Sequence, residues 1–155
     1  MKEKFMKEAL KEALKAKNKN EVPVGAVIVF NDKIIARGHN KRETKKNSLC
    51  HAEIIAINKA CRKVENFRLE DCEMYVTLEP CLMCAGAIVQ SRIKRVIIGA
   101  KDSKYGMAGT IFNAFGLKSN HKVEVEFGIM EDECANILKE FFKELREKHK
   151  KDNKK

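Results

Sequence analysis

Glu73-Met-Tyr-Val-Thr-Leu-Glu-Pro-Cys-Leu-Met-Cys-Ala-Gly-Ala-Ile-Val-Gln-Ser-Arg-Ile-Lys-Arg-Val-Ile-Ile98 is the stretch that decides the fold. Glu73 to Thr77 reads as a short strand, Leu82 to Ser91 as a helix introduced by Pro80, and Arg95 to Ile98 as a second strand. Upstream, Val22 to Phe30 is β-branched and nearly all apolar, as a strand buried on both faces should be. Asn31-Asp32 offers a tight turn into Lys33 to Arg37, which predicts a hairpin. The polar stretch 40–48 reads as a loop. From His51 to Arg62, Ile54, Ile55, Ile57, Ala60 and Cys61 fit a buried helix. Residues 2–17 set Phe5, Ala9 and Ala13 beside Met6, Leu10 and Leu14 on one helical face. Downstream, a loop holding Gly99, Gly106, Gly109 and Gly116 leads to Lys122 to Phe127, whose strict alternation predicts a half-exposed strand. The last helix opens on Glu131-Asp132-Glu133 and ends in Lys and Arg, matching its dipole. Its apolar stripe is Cys134, Ile137, Leu138, Phe141, Phe142 and Leu145. Strands alternating with helices predict an α/β sandwich around a mixed sheet built from these five strands. One domain over residues 1–149 is expected, with a frayed basic tail at 150–155.

The chain has 155 residues, long enough for a core without covalent staples. Apolar residues at 44% exclude a disordered chain. No apolar run approaches the roughly 18 residues of a membrane helix, and Met1 to Phe5 carries no apolar leader, so a cytoplasmic address is expected. Six Cys in such a chain are too few for a disulfide scaffold, which turns any closely spaced pair toward metal binding or catalysis. The net charge is +10. Residues 1–20 hold seven Lys and three Glu, residues 139–155 eight Lys or Arg and four Asp or Glu, and 41–46 net +3. That footprint fits a polyanion; a Lys-rich solvated surface gives the same count.

Two segments carry chemistry: Cys50-His51-Ala52-Glu53 and Glu79-Pro80-Cys81-Leu82-Met83-Cys84. Each reads as the opening turn of a helix. Cys81 and Cys84 stand at i and i+3, so both sulfurs leave one face of a helix N-terminus, where the dipole favours thiolates. His51 adds a nitrogen, giving an S₂N set that suits one Zn²⁺ per chain and leaves a fourth position open for water. Glu53, two residues past His51, reaches the same space as a general acid/base without being a ligand. A lone Cys-x-x-Cys also reads as a redox pair or as two buried thiols. Jointly with His-x-Glu, 30 residues upstream, it forms the H-x-E…P-C-x-x-C signature of zinc nucleobase deaminases.

The similarity goes further. Glu21 to Val29, Tyr75 to Ala87, Ser91-Arg-Ile93 and Ile98 to Thr110 resemble the bacterial tRNA-specific adenosine deaminases, across residues 5–147. The resemblance implies a cytidine-deaminase-like three-layer α/β/α fold, a homodimer, and conversion of the wobble adenosine of a tRNA anticodon stem-loop to inosine. It implies that His51, Cys81 and Cys84 bind zinc, and that metal-bound hydroxide attacks adenine C6 while Glu53 shuttles protons. By position, Asn40 matches the Asn that contacts the target nucleotide, and Asp102 the acidic residue near the ribose and flanking RNA. Two stretches depart from the family's usual residues. Asn47-Ser-Leu-Cys50 stands where Asp-Pro-Thr-Ala is usual, and Tyr105 to Met107 is bulkier than usual.

Competing readings are a deaminase of free guanine or cytosine, which shares both motifs, and a zinc-stabilised RNA-binding module without catalysis. The basic terminal helices favour RNA, and Glu53 counts against a purely structural site. Lys143 and Arg146, at the basic end of the last helix, are candidate RNA contacts. Cys61, Cys72 and Cys134 read as buried small residues, and His39, His121 and His149 as ordinary surface or loop residues. Phe141 and Phe142 read as core and dimer packing.

Overall fold

In the computed structural model, which describes residues 1–153, the strands and helices alternate as the periodicity predicts. They are α1 (Lys2–Lys17), β1 (Gly25–Phe30), β2 (Lys33–His39), α2 (Ala52–Val64), β3 (Glu73–Leu78), α3 (Leu82–Gln90), β4 (Arg95–Ala100), β5 (Glu124–Phe127) and α4 (Glu131–Asn153). One sheet takes the order β2-β1-β3-β4-β5. β1 runs antiparallel to both β2 and β3, whereas β3, β4 and β5 are parallel. The mixed character follows from the connections. A two-residue turn at Asn31-Asp32, both with positive φ (49° and 60°), forces β1 and β2 antiparallel. The α3 crossover makes β3 and β4 parallel.

Period-two alternation divides the strand side chains between two apolar layers. Val27, Val29, Tyr75 and Ile97 pack with Phe5, Met6 and Ala9 of α1 and Cys134 of α4. Ala26, Ile28, Met74, Val76, Val96 and Ile98 pack with Ala56 and Ala60 of α2 and Ala85 and Ile88 of α3. The result is the expected three-layer α/β/α sandwich, with α2 and α3 sharing one face.

Several boundaries differ from those expected. β1 begins at Gly25 rather than Val22, because Pro23 has no N–H for a ladder and the Val24 amide bonds back to the Val22 carbonyl at 2.9 Å. Gly25 is required by packing: a Cβ there would lie 1.9 Å from the Ala9 carbonyl oxygen. Gly99, expected in a loop, lies inside β4, where a Cβ would stand 2.4 Å from the Cys134 sulfur. The 101–123 connection is held partly by an isolated Ala108–Asn113 bridge and a single 3₁₀ turn at Ala114–Gly116. At the C-terminus, α4 continues through Asn153 where a frayed tail from 150 was expected. Its run of Lys and Glu propagates a helix well. Residues 154–155 lie outside the described residues.

Candidate active site

His51 and Cys81 occupy equivalent positions. Each is the N-cap of its helix, with extended backbone (φ −77°, ψ 155° and φ −76°, ψ 177°). Their carbonyls accept the first helical bonds, from Ile55 and Ala85. Neither side chain caps its own helix. Because α2 and α3 lie on one face of the sheet, the two caps face each other instead. Cys84, in the first turn of α3, completes the group. His51 Nδ1 lies 3.6 Å from the sulfur of Cys81 and 3.6 Å from that of Cys84.

A tetrahedral ion held at about 2.3 Å from sulfur and about 2.0–2.1 Å from nitrogen puts such donors about 3.5 Å apart. The spacing therefore fits zinc. Among the described residues no fourth His, Cys, Asp or Glu joins the group, so the donor set is that of an open site. Proton sharing within the cluster points the same way. The Cys81 thiol is pulled down to about 4, first by a hydrogen bond from Cys84 and also by His51, against the effect of burial. Cys84 is pushed up by its bond to Cys81 and by burial, and the His51 imidazole is raised by Cys81. Thiol and imidazole donors bind a cation only after losing their protons, so protons and a metal compete for these three atoms.

Glu53 lies in the first turn of α2 and is 4% exposed. Burial raises its carboxyl to about 7, with the neighbouring Cys81 thiolate adding to the rise. A carboxyl titrating there can both accept and donate a proton near neutral pH. The helix starts thus gather three side chains that could hold a metal ion and one buried carboxyl.

Asn40 and Asp102 are not part of this cluster. Asn40, just after β2, is buried; its amide donates to the Val22 carbonyl and its oxygen accepts the Arg42 amide. Asp102, just after β4, accepts the amides of Lys104 and Tyr105 in a local turn. Lys143 and Arg146 are exposed on α4. That helix is tied to the end of α1 by Lys17, whose Nζ lies 3.4 Å from Glu140 and 3.8 Å from Glu144. Phe141 is half-buried and Phe142 exposed, so this end of the stripe is not core.

Three buried acidic residues escaped the sequence reading. Glu79, directly before Pro80, accepts the backbone amides of Asp102, Ala108 and Thr110 and the Thr110 hydroxyl. Glu21 accepts the amides of Glu43 and Thr44 in the basic loop. Burial raises its carboxyl, but the bonds from Thr44 and Glu43 outweigh this and leave it below the usual range. Glu12 of α1 pairs with His39 Nδ1 at 3.2 Å. His39, expected at the surface or in a loop, is therefore a buried residue that joins β2 to α1. A Glu on the polar side of a helix, or beside a Pro, carries no sequence mark of burial.

The family model for MafB19-like deaminases matches residues 1–146. Over 147 residues the chain is 52% identical to the tRNA-specific adenosine deaminase of Bacillus subtilis (strain 168), covering 94% of this chain and 91% of that protein. It is 51% identical over 145 residues to the tRNA-specific adenosine deaminase of Rickettsia bellii (strain RML369-C), covering 92% and 100%. A solved structure from a study of A-to-I editing by tRNA:A34 deaminases at the wobble position of transfer RNA superposes with a TM-score of 0.80 at 41% identity, covering 86% of this chain and 98% of that one.

Proposed function

This chain belongs to the MafB19-like deaminases and, among them, to the tRNA-specific adenosine deaminases, and we propose how its own residues carry out that reaction: hydrolytic conversion of the wobble adenosine of a tRNA anticodon to inosine. His51, Cys81 and Cys84 hold one Zn²⁺. The ion, when bound, supplies a Lewis acid that makes water nucleophilic near neutral pH. Glu53 takes a proton from the water as its oxygen bonds to adenine C6 and delivers that proton to N1; it then carries the proton of the new C6 hydroxyl to the C6 amino group, and the C6–N bond breaks. Ammonia leaves, and the carbonyl of inosine remains.

The observation that supports this reading most is the buried Glu53 beside a three-donor cluster. A structural metal site has no use for a neighbouring buried carboxyl. Asn40 and Asp102, on the loops that leave β2 and β4, contact the extruded nucleotide and its flanking ribose. Lys143 and Arg146 meet the phosphate backbone. The same reading includes a homodimer, for which exposed Leu82, Ile111, Phe112 and Leu117 offer apolar surface. It also includes a cytoplasmic address; no helix among the described residues is long and apolar enough to cross a membrane.

Incubation of the purified protein with tRNA transcripts, and separately with free guanine and cytosine, tests the reading. Inosine at the anticodon, with release of ammonia, is the expected result. Deamination of a free base with tRNA untouched replaces it with the free-nucleobase reading, and no ammonia from any substrate leaves a zinc-stabilised binding module.

A further inference from the structure

Glu79 is 2% exposed, yet no cation is among its hydrogen-bond partners. One carboxylate oxygen accepts the Asp102 amide at 3.1 Å and the Thr110 hydroxyl. The other accepts the Ala108 amide at 2.9 Å and the Thr110 amide at 3.1 Å. A carboxylate offers about four acceptor sites, and all are taken. The segment 102–110 is therefore wrapped around a single side chain. Gly106 belongs to the same arrangement: a Cβ there would lie 2.5 Å from the Glu79 carboxyl and 2.5 Å from the Asp102 carbonyl oxygen. The Met107 amide donates to the Pro80 carbonyl at 3.0 Å, so the wrapped segment rests on the turn that ends in Cys81.

This geometry joins two things separated in sequence. Glu79 leaves β3 two residues before a metal donor, and its side chain gathers the loop that leaves β4. The backbone of that loop faces inward onto the carboxylate, whereas Lys104 and Tyr105 are exposed and Asp102 and Met107 half-exposed beside the ligand turn. We propose that Glu79 is a positioning residue for deamination: it fixes the 102–110 loop as one wall of the nucleotide site, and so sets affinity for the substrate rather than the chemical step. The proposal rests on the function proposed above. With the loop tied down, binding does not have to order it. The proton carrier and His51 stand on α2, which makes none of these bonds.

Glu79→Gln is nearly isosteric, but one acceptor oxygen becomes an NH₂ donor. Whichever way the amide turns, a donor faces at least one backbone N–H that it cannot satisfy. In the full-length, zinc-loaded protein we expect KM for an anticodon stem-loop to rise about tenfold or more, with kcat within about threefold. Hydrogen exchange at the Ala108 and Thr110 amides should quicken, and zinc should stay at about one per chain. Thr110→Val replaces the hydroxyl with a methyl and leaves the three amide bonds to Glu79 in place, so it is the milder change. It should raise KM by a smaller factor, and Thr110→Ser should restore it. An unchanged KM in both variants overturns the proposal, as does a fall in kcat alone. So does loss of zinc from Glu79→Gln with the exchange of 102–110 unaltered. Exchange needs no substrate. If the wild-type protein acts on a free base instead of RNA, the proposed function fails, and the role of Glu79 is still judged by exchange and by KM for that base.

Discussion

Gly38 lies directly under Ala52: a Cβ on Gly38 would stand 2.4 Å from the Ala52 carbonyl oxygen, and 2.8 Å from the Ala56 amide nitrogen. Both contacts are backbone, so a side-chain rotation cannot relieve them. The absence of a side chain in β2 thus sets how closely the first turn of α2 approaches the sheet. That turn holds Glu53 and is capped by His51. Gly38→Ala should push the helix start outward and cost about 1–3 kcal/mol, as overpacking of a tight interface does. Urea unfolding measures the loss, and metal analysis should show reduced zinc retention. A variant with native stability and full zinc refutes the coupling.

Removal of either sulfur should separate metal from fold in a defined way. Cys81→Ser and Cys84→Ser each leave two donors where an open catalytic site needs three. Purified wild-type protein should carry about one zinc per chain, and each variant should lose most of it together with stability. Because the cluster holds protons that a cation must displace, zinc uptake by metal-free protein should release protons, measurable with a weakly buffered indicator. Full zinc occupancy in either variant would falsify the ligand assignment.

Glu53→Gln keeps the shape of the side chain but cannot carry a proton. Fold and zinc content should be retained, whereas inosine formation should fall by at least the 10²–10⁴-fold typical of general acid–base catalysis. Near-normal turnover would mean that another group moves the proton.

Much of this molecule is legible in its sequence because local signals decided it. The β1–β2 hairpin is written in Asn31-Asp32, and α1 in the spacing of Phe5, Ala9 and Ala13. The candidate metal donors are written in two short motifs, each at a helix start, and a helix start fixes side-chain direction within a turn. What the sequence did not reveal depends on partners supplied from far away. Glu79 is satisfied by amides 23–31 residues downstream, and Glu21 by amides 22 and 23 residues downstream. The burial of His39 depends on Glu12, 27 residues before it. Gly99 looks like a loop residue until Cys134 of α4 is seen to need its space. The apolar stripe of α4 misleads in the opposite sense: its periodicity is regular through Phe142 and Leu145, yet both are exposed.

The His39–Glu12 pair predicts an acid-sensitive fold. Burial lowers the imidazole pKa below its ordinary 6.5, and the pull of Glu12 in the other direction does not overcome it; Lys41 and Lys19 add to the lowering. Nε2 is buried without a partner, which a lone pair tolerates better than an N–H donor. The neutral ring donating from Nδ1 to the carboxylate is therefore the folded form. The unfolded chain takes up a proton first as pH falls. The stabilising contribution is thus complete above about 6.5 and is lost as pH drops through the lower folded value. Glu12 acts in the same direction at lower pH. Burial raises its carboxyl, but Lys15 and His39 bring it below the usual range, so its contribution disappears as it protonates. Unfolding free energies of zinc-loaded wild-type and His39→Gln protein, measured between pH 7.5 and 5, should diverge. The wild type should lose up to about 1.4 kcal/mol more per pH unit, the limit for one proton. Parallel curves would show that His39 does not titrate in this window.

Substrate affinity should depend on salt as well as on the base. A free-base deaminase needs a closed pocket, and its KM responds weakly to ionic strength. An RNA enzyme must also hold phosphates, and each neutralised phosphate releases counterions, so log affinity falls linearly with log salt. Residues 139–155 carry eight Lys or Arg against four Asp or Glu. Two of those acids, Glu140 and Glu144, are engaged by Lys17, so the local field around Lys143 and Arg146 is more positive than the count alone implies. Deleting this end would also strip packing from Phe141, so charge reversal is the cleaner test. Lys143→Glu/Arg146→Glu protein should retain zinc and its thermal stability while binding an anticodon stem-loop at least about tenfold more weakly at 50 mM salt, with a slope shallower by about one to two phosphates. The difference from wild type should narrow as salt rises to about 200 mM, because both charges are exposed and screened. Equal affinity and equal slope in the two proteins would remove Lys143 and Arg146 from the RNA surface.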